Sequence, residues 1–138
     1  MNINDIINTA RKEIRALFGI GINRNIYKAL SIIDNINNSD DDIIKFNELH
    51  RAIKEIYFTT IGVNAANLIK IQNVLKKIGY IPININNNDI LNREYFDYIV
   101  PESNNEKSNT IKKIIIKPFK FVYNNIDYIL CGKCTYYK

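Results

Sequence analysis

The chain has 138 residues, of which 46% are hydrophobic and 24% are charged, which is the composition of an ordinary globular chain long enough to bury a core. No apolar run approaches the roughly 20 residues needed to cross a bilayer, and charges occupy the place of a signal peptide's apolar core. We therefore expect a cytoplasmic or nuclear protein with no membrane partner. With two cysteines the chain cannot form a disulfide framework. Its heavy use of Ile, Asn, Lys and Tyr is typical of an AT-rich genome.

The net charge of +5 permits two kinds of partner, nucleic acid or an acidic protein segment, and demands neither. Lysine-rich surfaces also serve solubility alone. The net charge is therefore compatible with either kind of partner and does not distinguish between them.

Apolar residues recur at helical spacing in four segments, which predict amphipathic helices at residues 5–18, 26–36, 43–58 and 64–78. Ser39 and Asp42 resemble a capping box at the start of the third helix. The three aspartates at 40–42 lack the alternating ligands and central glycine of a calcium loop, so we interpret them as first-turn acids. Gly79 ends the fourth helix.

The second half of the chain predicts strands. Residues 95–100 form a strand candidate, whereas residues 110–117 fit a helix or a strand equally well. Residues 119–130 predict a β-hairpin, because Asn124 and Asn125 tolerate the positive φ that a two-residue turn requires.

Together these elements predict an α+β fold, mostly a helical bundle with a small antiparallel sheet and a C-terminal β-hairpin. We expect a helical domain over residues 1–118, with an Asn-rich insertion near 84–92, and a hairpin extension over residues 119–138. The extension carries a Cys-x-x-Cys pair.

Cys131 and Cys134 are half of a zinc site, and the remaining ligands do not occur at normal spacing. The alternatives are a zinc ion completed by other ligands, a redox-active dithiol, and two free thiols at a loose chain end. His50, the only histidine, has no Cys, His or carboxylate at ligand spacing. Apart from this zinc alternative we expect no cofactor.

Motifs for enzymatic chemistry are missing from the sequence. It contains no Gly-x-Ser-x-Gly, no phosphate-binding loop, no His-Glu-x-x-His and no paired carboxylates. We therefore expect a binding module and not an enzyme.

The central stretch resembles a PUB domain, the module of peptide N-glycanases and some UBX proteins. The resemblance covers residues 26–116 and rests on short motifs: Asp34-Asn35-Ile36, Lys45-Phe46, Ile61-Gly62-Val63, Val74 to Tyr80 and Tyr98-Ile99-Val100-Pro101. The family's Lys-Tyr-Arg stands here as Lys-Phe-Asn, which removes a hydroxyl and a charge. The family forms a strand after that tripeptide, where the pattern here predicts a helix. Residues 105–116 match its C-terminal helix.

The resemblance implies a protein-interaction adaptor in ubiquitin-linked protein quality control. Its partner would be the acidic, aromatic-bearing C-terminal tail of valosin-containing protein, a hexameric AAA ATPase. By position, Asn35, Lys45 and Phe46 match the family's peptide-contacting residues, and His50 takes the place of its basic residue. We also expect Arg51 in the peptide-binding site, where Lys45, His50 and Arg51 would give it a basic character.

A winged-helix nucleic-acid-binding protein is the alternative. Residues 64–78 would be the recognition helix, with Lys70, Lys76 and Lys77 facing phosphate, and the hairpin at 119–130 would be the wing. Such binding weakens steeply with salt, because phosphate contacts release counterions.

Overall fold

The structure is a computed structural model that describes residues 2–102 and 108–138, with the side chain of Ile61 left out. The fold is α+β, as predicted. The four helices are α1 (Ile3–Arg15), α2 (Asn23–Asp34), α3 (Asp42–Phe58) and α4 (Ala65–Ile78). The six strands are β1 (Ile81–Pro82), β2 (Phe96–Glu102), β3 (Ile111–Ile116), β4 (Phe119–Tyr123), β5 (Ile126–Leu130) and β6 (Gly132–Tyr137).

The chain divides into two compact units. The helical unit runs to Tyr80 and also includes Val122–Tyr128, the tip of the hairpin. The strand unit comprises Ile81–Phe121 and Ile129–Lys138. The division in the contact pattern thus falls after Tyr80, whereas the sequence suggested a boundary after Pro118.

The helices of the helical unit form because their apolar residues recur on one face. In α1 the buried residues are Ile3, Ile6, Ile7, Ala10 and Ile14, which follow helical spacing closely. In α2 the buried residues are Ile26, Ala29, Leu30 and Ile33. Burial of these faces, at roughly 25 cal/mol per Å² of apolar surface, drives the helices together.

The start of α3 corrects one prediction. The N-cap is Asp41, whose Oδ1 accepts a hydrogen bond of 2.9 Å from the backbone N–H of Ile44. Ser39 is not the cap, because its backbone N–H and hydroxyl both donate to Asn37 Oδ1 in the preceding turn. Asp42 lies in the first helical turn, as expected of an acid near the positive end of the helix dipole.

The end of α4 confirms the predicted glycine stop. Gly79 has φ of 129°, a conformation that costs other residues steric strain. The backbone N–H groups of Gly79 and Tyr80 both donate to Leu75 O, at 3.1 and 2.9 Å. This turn directs the buried Tyr80 ring back into the helical unit.

The predicted C-terminal hairpin is present. Asn124 and Asn125 have φ of 52° and 63°, which is the pair of positive values that a tight turn of the primed type requires. The strands that flank them, β4 and β5, are neighbours in a sheet ordered β1-β4-β5, in which β1 and β4 are antiparallel. Two asparagines were therefore a sufficient turn signal.

The strand unit contains a second sheet, ordered β2-β6-β3. β6 is parallel to β2 and antiparallel to β3. The ambiguous isoleucine-rich segment is thus strand β3, and the C-terminal helix implied by the family resemblance is wrong for residues 111–116. Residues 105–107 of that implied helix lie outside the described residues. The expectation of a loose chain end is also wrong, because β6 is the central strand.

The close approach of two backbone segments in the strand unit explains why residue 132 is a glycine. A Cβ at Gly132 would overlap Ile116 O and also meet Pro118 N. Next to this contact lies a small buried core of Phe96, Ile111 and Cys134. Only glycine lets β6 start this close to the end of β3.

The helices described within residues 2–102 and 108–138 are all too short or too polar to span a membrane.

Candidate functional site

A groove follows the seam between α1 and α2 in the helical unit. One cavity of about 290 Å³ lies between the end of α1 and the outer face of α2, and is lined by Arg15, Phe18, Tyr27, Leu30, Ser31, Asp34 and Asn35. A second cavity of about 540 Å³ lies between the start of α1 and the end of α2, and is lined by Asn4, Ile7, Asn8, Arg11, Ile33, Ile36 and Asn38. We call these two cavities the α1–α2 groove.

The polar faces of the two helices place these side chains. Asn8, Arg11 and Arg15 follow one another at three- and four-residue spacing, so they project from the same side of α1. Tyr27 and Ser31 are similarly spaced on α2, opposite its buried isoleucines. The amphipathic pattern that builds the core thus also determines which side chains reach the groove.

The smaller cavity has an apolar floor and exposed aromatic walls. Leu30 is buried, whereas Phe18 is 43% exposed and Tyr27 is 71% exposed. Exposed aromatic rings beside a buried leucine are the side-chain types that carry binding energy at protein interfaces. This end of the groove can hold an apolar or aromatic anchor.

The groove is also cationic. Arg11 Nε donates to Asp34 Oδ1 at 2.9 Å, and Arg11 Nη1 donates to Asn8 Oδ1 at 3.1 Å. Lys12 and Arg15 line a third cavity on the outer face of α1, together with Arg11. Within the described part of the chain, neither Lys12 nor Arg15 has an ion-pair partner. Two of the three cations are therefore available to an anionic ligand.

Of the five residues predicted to bind peptide, the structure places Asn35 in the groove. It is the C-cap of α2 and lines the smaller cavity. Lys45 and Phe46 lie on the inward side of α3, where Lys45 is 6% exposed and Phe46 is fully buried. A peptide cannot reach the Phe46 ring without displacing its neighbours.

The remaining two predicted residues also lie on α3. His50 is half-buried, and its Nδ1 lies 2.6 Å from the hydroxyl of Tyr80. Arg51 is exposed and pairs with Glu48 at 2.7 Å, one turn earlier on the same helix. The protein's own side chains thus already contact both residues.

Phe46 and His50 belong to an aromatic cluster on α3. The Phe46 ring stacks on Tyr123 at 4.5 Å and meets Tyr128 edge-on at 4.6 Å, and His50 meets Tyr128 edge-on at 5.2 Å. The Tyr128 hydroxyl donates to Asn47 Oδ1 at 2.7 Å. We call the rings of Phe46, His50, Tyr80, Tyr123 and Tyr128 the α3 aromatic cluster.

Burial controls the protonation of Tyr80 in this cluster. It raises the pKa of Tyr80 well above its usual range, and the neighbouring Tyr128 adds to the rise. The phenol of Tyr80 therefore keeps its proton at neutral pH, and its hydroxyl lies within hydrogen-bond distance of His50 Nδ1, at 2.6 Å. This contact gives the buried Tyr80 hydroxyl a polar partner inside the protein.

The two cysteines differ in environment. Cys134 is fully buried, and burial raises the pKa of its thiol to about 11. Cys131 is half-buried, and its Sγ lies 3.3 Å from Glu94 O. Zinc requires thiolate ligands, which a buried thiol with a raised pKa supplies poorly. Among the described residues no three His, Cys, Asp or Glu side chains form a group that could hold a metal ion.

The lysines of the nucleic-acid alternative lie on α4. Lys70, Lys76 and Lys77 are all exposed, and Lys77 pairs with Glu13 at 3.6 Å. The helix starts at the N-cap Asn64, directly after a short 3₁₀ helix.

Sequence reasoning missed most of the groove. The sequence pattern predicts only that Arg11, Arg15, Phe18 and Tyr27 belong to amphipathic helices. The available signal was the pair of arginines at four-residue spacing on the polar face of α1. The aromatic Tyr27 on the polar face of α2 was a second signal.

Comparison with known proteins gives no relative. No family model, no curated protein and no solved structure matches this chain.

Proposed function

We propose that this chain is a non-enzymatic interaction module that binds an acidic peptide segment with an aromatic residue, and that the peptide lies in the α1–α2 groove. The observation that carries the proposal is the combination of two cations, Arg15 in the groove and Lys12 beside it on α1, with the exposed rings of Phe18 and Tyr27 around Leu30. Among the described residues neither cation has an ion-pair partner. Peptide recognition of this type places an aromatic anchor in an apolar pocket and pairs acidic residues with Arg.

The resemblance to PUB domains supplies one concrete candidate for the peptide. It is the acidic C-terminal tail of valosin-containing protein, and the role would be recruitment of this AAA ATPase in ubiquitin-linked protein quality control. Of the residues implied by that resemblance, only Asn35 lines the groove. The proposal therefore keeps the class of ligand and assigns the contact to α1 and α2.

The test is a titration of the labelled protein with an acidic peptide that ends in tyrosine, followed by amide chemical shifts. We expect shifts to cluster on Arg15, Phe18, Tyr27 and Asn35. A cluster on His50 and Arg51 instead would move the contact to α3. The absence of any shift would reject the proposal.

A variant sharpens the test. Arg15→Gln removes one cation from the groove and keeps a good helix former, so peptide affinity should fall about tenfold, as expected for loss of a charge-assisted hydrogen bond. Lys76→Gln removes the same charge from the exposed face of α4 and is the matched control. Equal losses in both variants would mean that only the overall charge matters.

A short DNA duplex at low salt tests the other class of partner. Shifts on Lys70, Lys76 and Lys77 that vanish as salt rises would favour nucleic-acid binding over peptide capture.

A further inference from the structure

One ion pair lies at the junction of the two cavities of the α1–α2 groove. Arg11 lines the larger cavity, Asp34 lines the smaller one, and Arg11 Nε lies 2.9 Å from Asp34 Oδ1. Asn8 accepts a second hydrogen bond from the same guanidinium, through its Nη1. These contacts hold the Arg11 side chain across the groove.

The Arg11–Asp34 pair is accessible to solvent, so another carboxylate can take the place of Asp34. The Arg11 side chain is 35% exposed and that of Asp34 is 54% exposed. Ion pairs with this exposure contribute little to stability, because water solvates the separated charges almost as well. A second carboxylate can therefore replace Asp34 at little cost.

Among the described residues that line the two groove cavities, Asp34 is the only acidic side chain. It presents to Arg11 the same group that an acidic peptide would present. A guanidinium can donate two parallel hydrogen bonds to one carboxylate, whereas Asp34 receives one, from Nε. An incoming carboxylate with free approach can therefore bind Arg11 in a better geometry than Asp34 does.

We infer that Asp34 is an internal competitor for the acidic ligand: the Arg11–Asp34 pair separates the two cavities in the free protein, and a ligand carboxylate takes Arg11 and joins them. This inference rests on the proposed peptide function and adds a regulatory contact to it. Release of Asp34 from Arg11 leaves its carboxylate in water at the end of α2.

The experiment compares two variants that each lose one negative charge and one exposed ion pair. Asp34→Asn weakens the hold on Arg11 in the groove. Glu55→Gln does the same to Lys28, which pairs with Glu55 at 3.3 Å outside the residues that line the groove. Both substitutions keep the side-chain shape, so the difference between the variants isolates the position of the charge.

We expect Asp34→Asn to tighten binding of the acidic, tyrosine-ended peptide by about threefold to tenfold relative to Glu55→Gln, measured by fluorescence anisotropy. This gain in affinity should disappear in an Arg11→Gln background, because Asp34 then has no guanidinium to pair with. Equal affinities of the two single variants, or weaker binding by Asp34→Asn, would overturn the inference.

Two controls distinguish failure of the Asp34 inference from failure of the proposed peptide binding. If the parent protein binds peptide and Arg15→Gln weakens it, the peptide function stands whatever Asp34 does. If neither the parent nor Asp34→Asn binds peptide, both the function and the inference are rejected.

Discussion

The α1–α2 groove and the α3 aromatic cluster are built from similar side chains and differ in what those side chains contact. In the cluster, rings stack on one another and the hydroxyls of Tyr80 and Tyr128 lie within hydrogen-bond distance of His50 and Asn47. In the groove, Phe18 and Tyr27 are exposed and Arg15 has no ion-pair partner among the described residues. The family resemblance implied Phe46 and His50 as binding residues, whereas burial and pairing favour α1 and α2. The comparison predicts that the cluster stabilises the fold and the groove binds a partner.

The largest effect should come from Phe46→Ala in the cluster. Loss of a fully buried phenyl ring that stacks on Tyr123 should lower the free energy of unfolding by about 3–5 kcal/mol. Urea denaturation measures this, and Phe46→Leu, which keeps most of the apolar volume, should lose clearly less. A loss of under about 1 kcal/mol would mean that Phe46 is not part of a packed core.

Denaturation at alkaline pH tests the burial of Tyr57, which lies on α3 together with Phe46. Burial raises the pKa of Tyr57 to about 12 against an ordinary value of 10.0, and a hydrogen bond with Gln72 opposes the rise. Between these pH values the unfolded chain loses a proton that the folded protein keeps. The contribution of Tyr57 to stability is therefore complete below pH 10 and is lost toward pH 12, at about 1.4 kcal/mol per pH unit. Urea denaturation between pH 10 and 12 should show that the free energy of unfolding falls less steeply with pH in Tyr57→Phe than in the parent protein. An unchanged slope of this free energy against pH would contradict the burial of the Tyr57 phenol.

The elements that the sequence predicted are those set by local pattern. The buried stripe of α1, the stop at Gly79 and the turn at Asn124 and Asn125 all depend on residues a few positions apart. Strand β6 could not be predicted in this way, because it pairs with β2, where Phe96 lies opposite Gly132. A long-range parallel pairing leaves no short-range signal in the intervening residues.

The groove was only half predictable for the same reason. The amphipathic pattern shows which side chains of α1 face outward, but not which of its cations find an acid. Arg11 is paired because Asp34, which is distant in sequence, lies beside it in the fold, whereas Arg15 has no ion-pair partner in the described part of the chain. Charge pairing between helices is a tertiary property that one sequence does not reveal.

A smaller effect should come from the hydrogen bond inside the cluster. Tyr80→Phe removes the hydroxyl that lies 2.6 Å from Nδ1 of His50 and keeps the buried ring. The free energy of unfolding should fall by about 1 kcal/mol at neutral pH, the usual net value of one hydrogen bond. Comparison with a His50→Ala, Tyr80→Phe double variant in urea denaturation would show the coupling. Additive losses would mean that the two side chains do not stabilise each other.

The smallest effect on stability should come from the groove, and this prediction separates the two regions most clearly. Tyr27→Ala removes a ring that is 71% exposed, so the free energy of unfolding should change by no more than about 0.5 kcal/mol. The affinity for the acidic, tyrosine-ended peptide should nevertheless fall at least about tenfold, because an exposed aromatic wall contributes mainly when a partner covers it. Phe58→Ala is the matched control, since Phe58 is a 55% exposed ring on α3 that does not line the groove cavities. If Phe58→Ala weakened peptide binding as much as Tyr27→Ala, the binding surface would extend to α3 and the contrast between the two regions would fail.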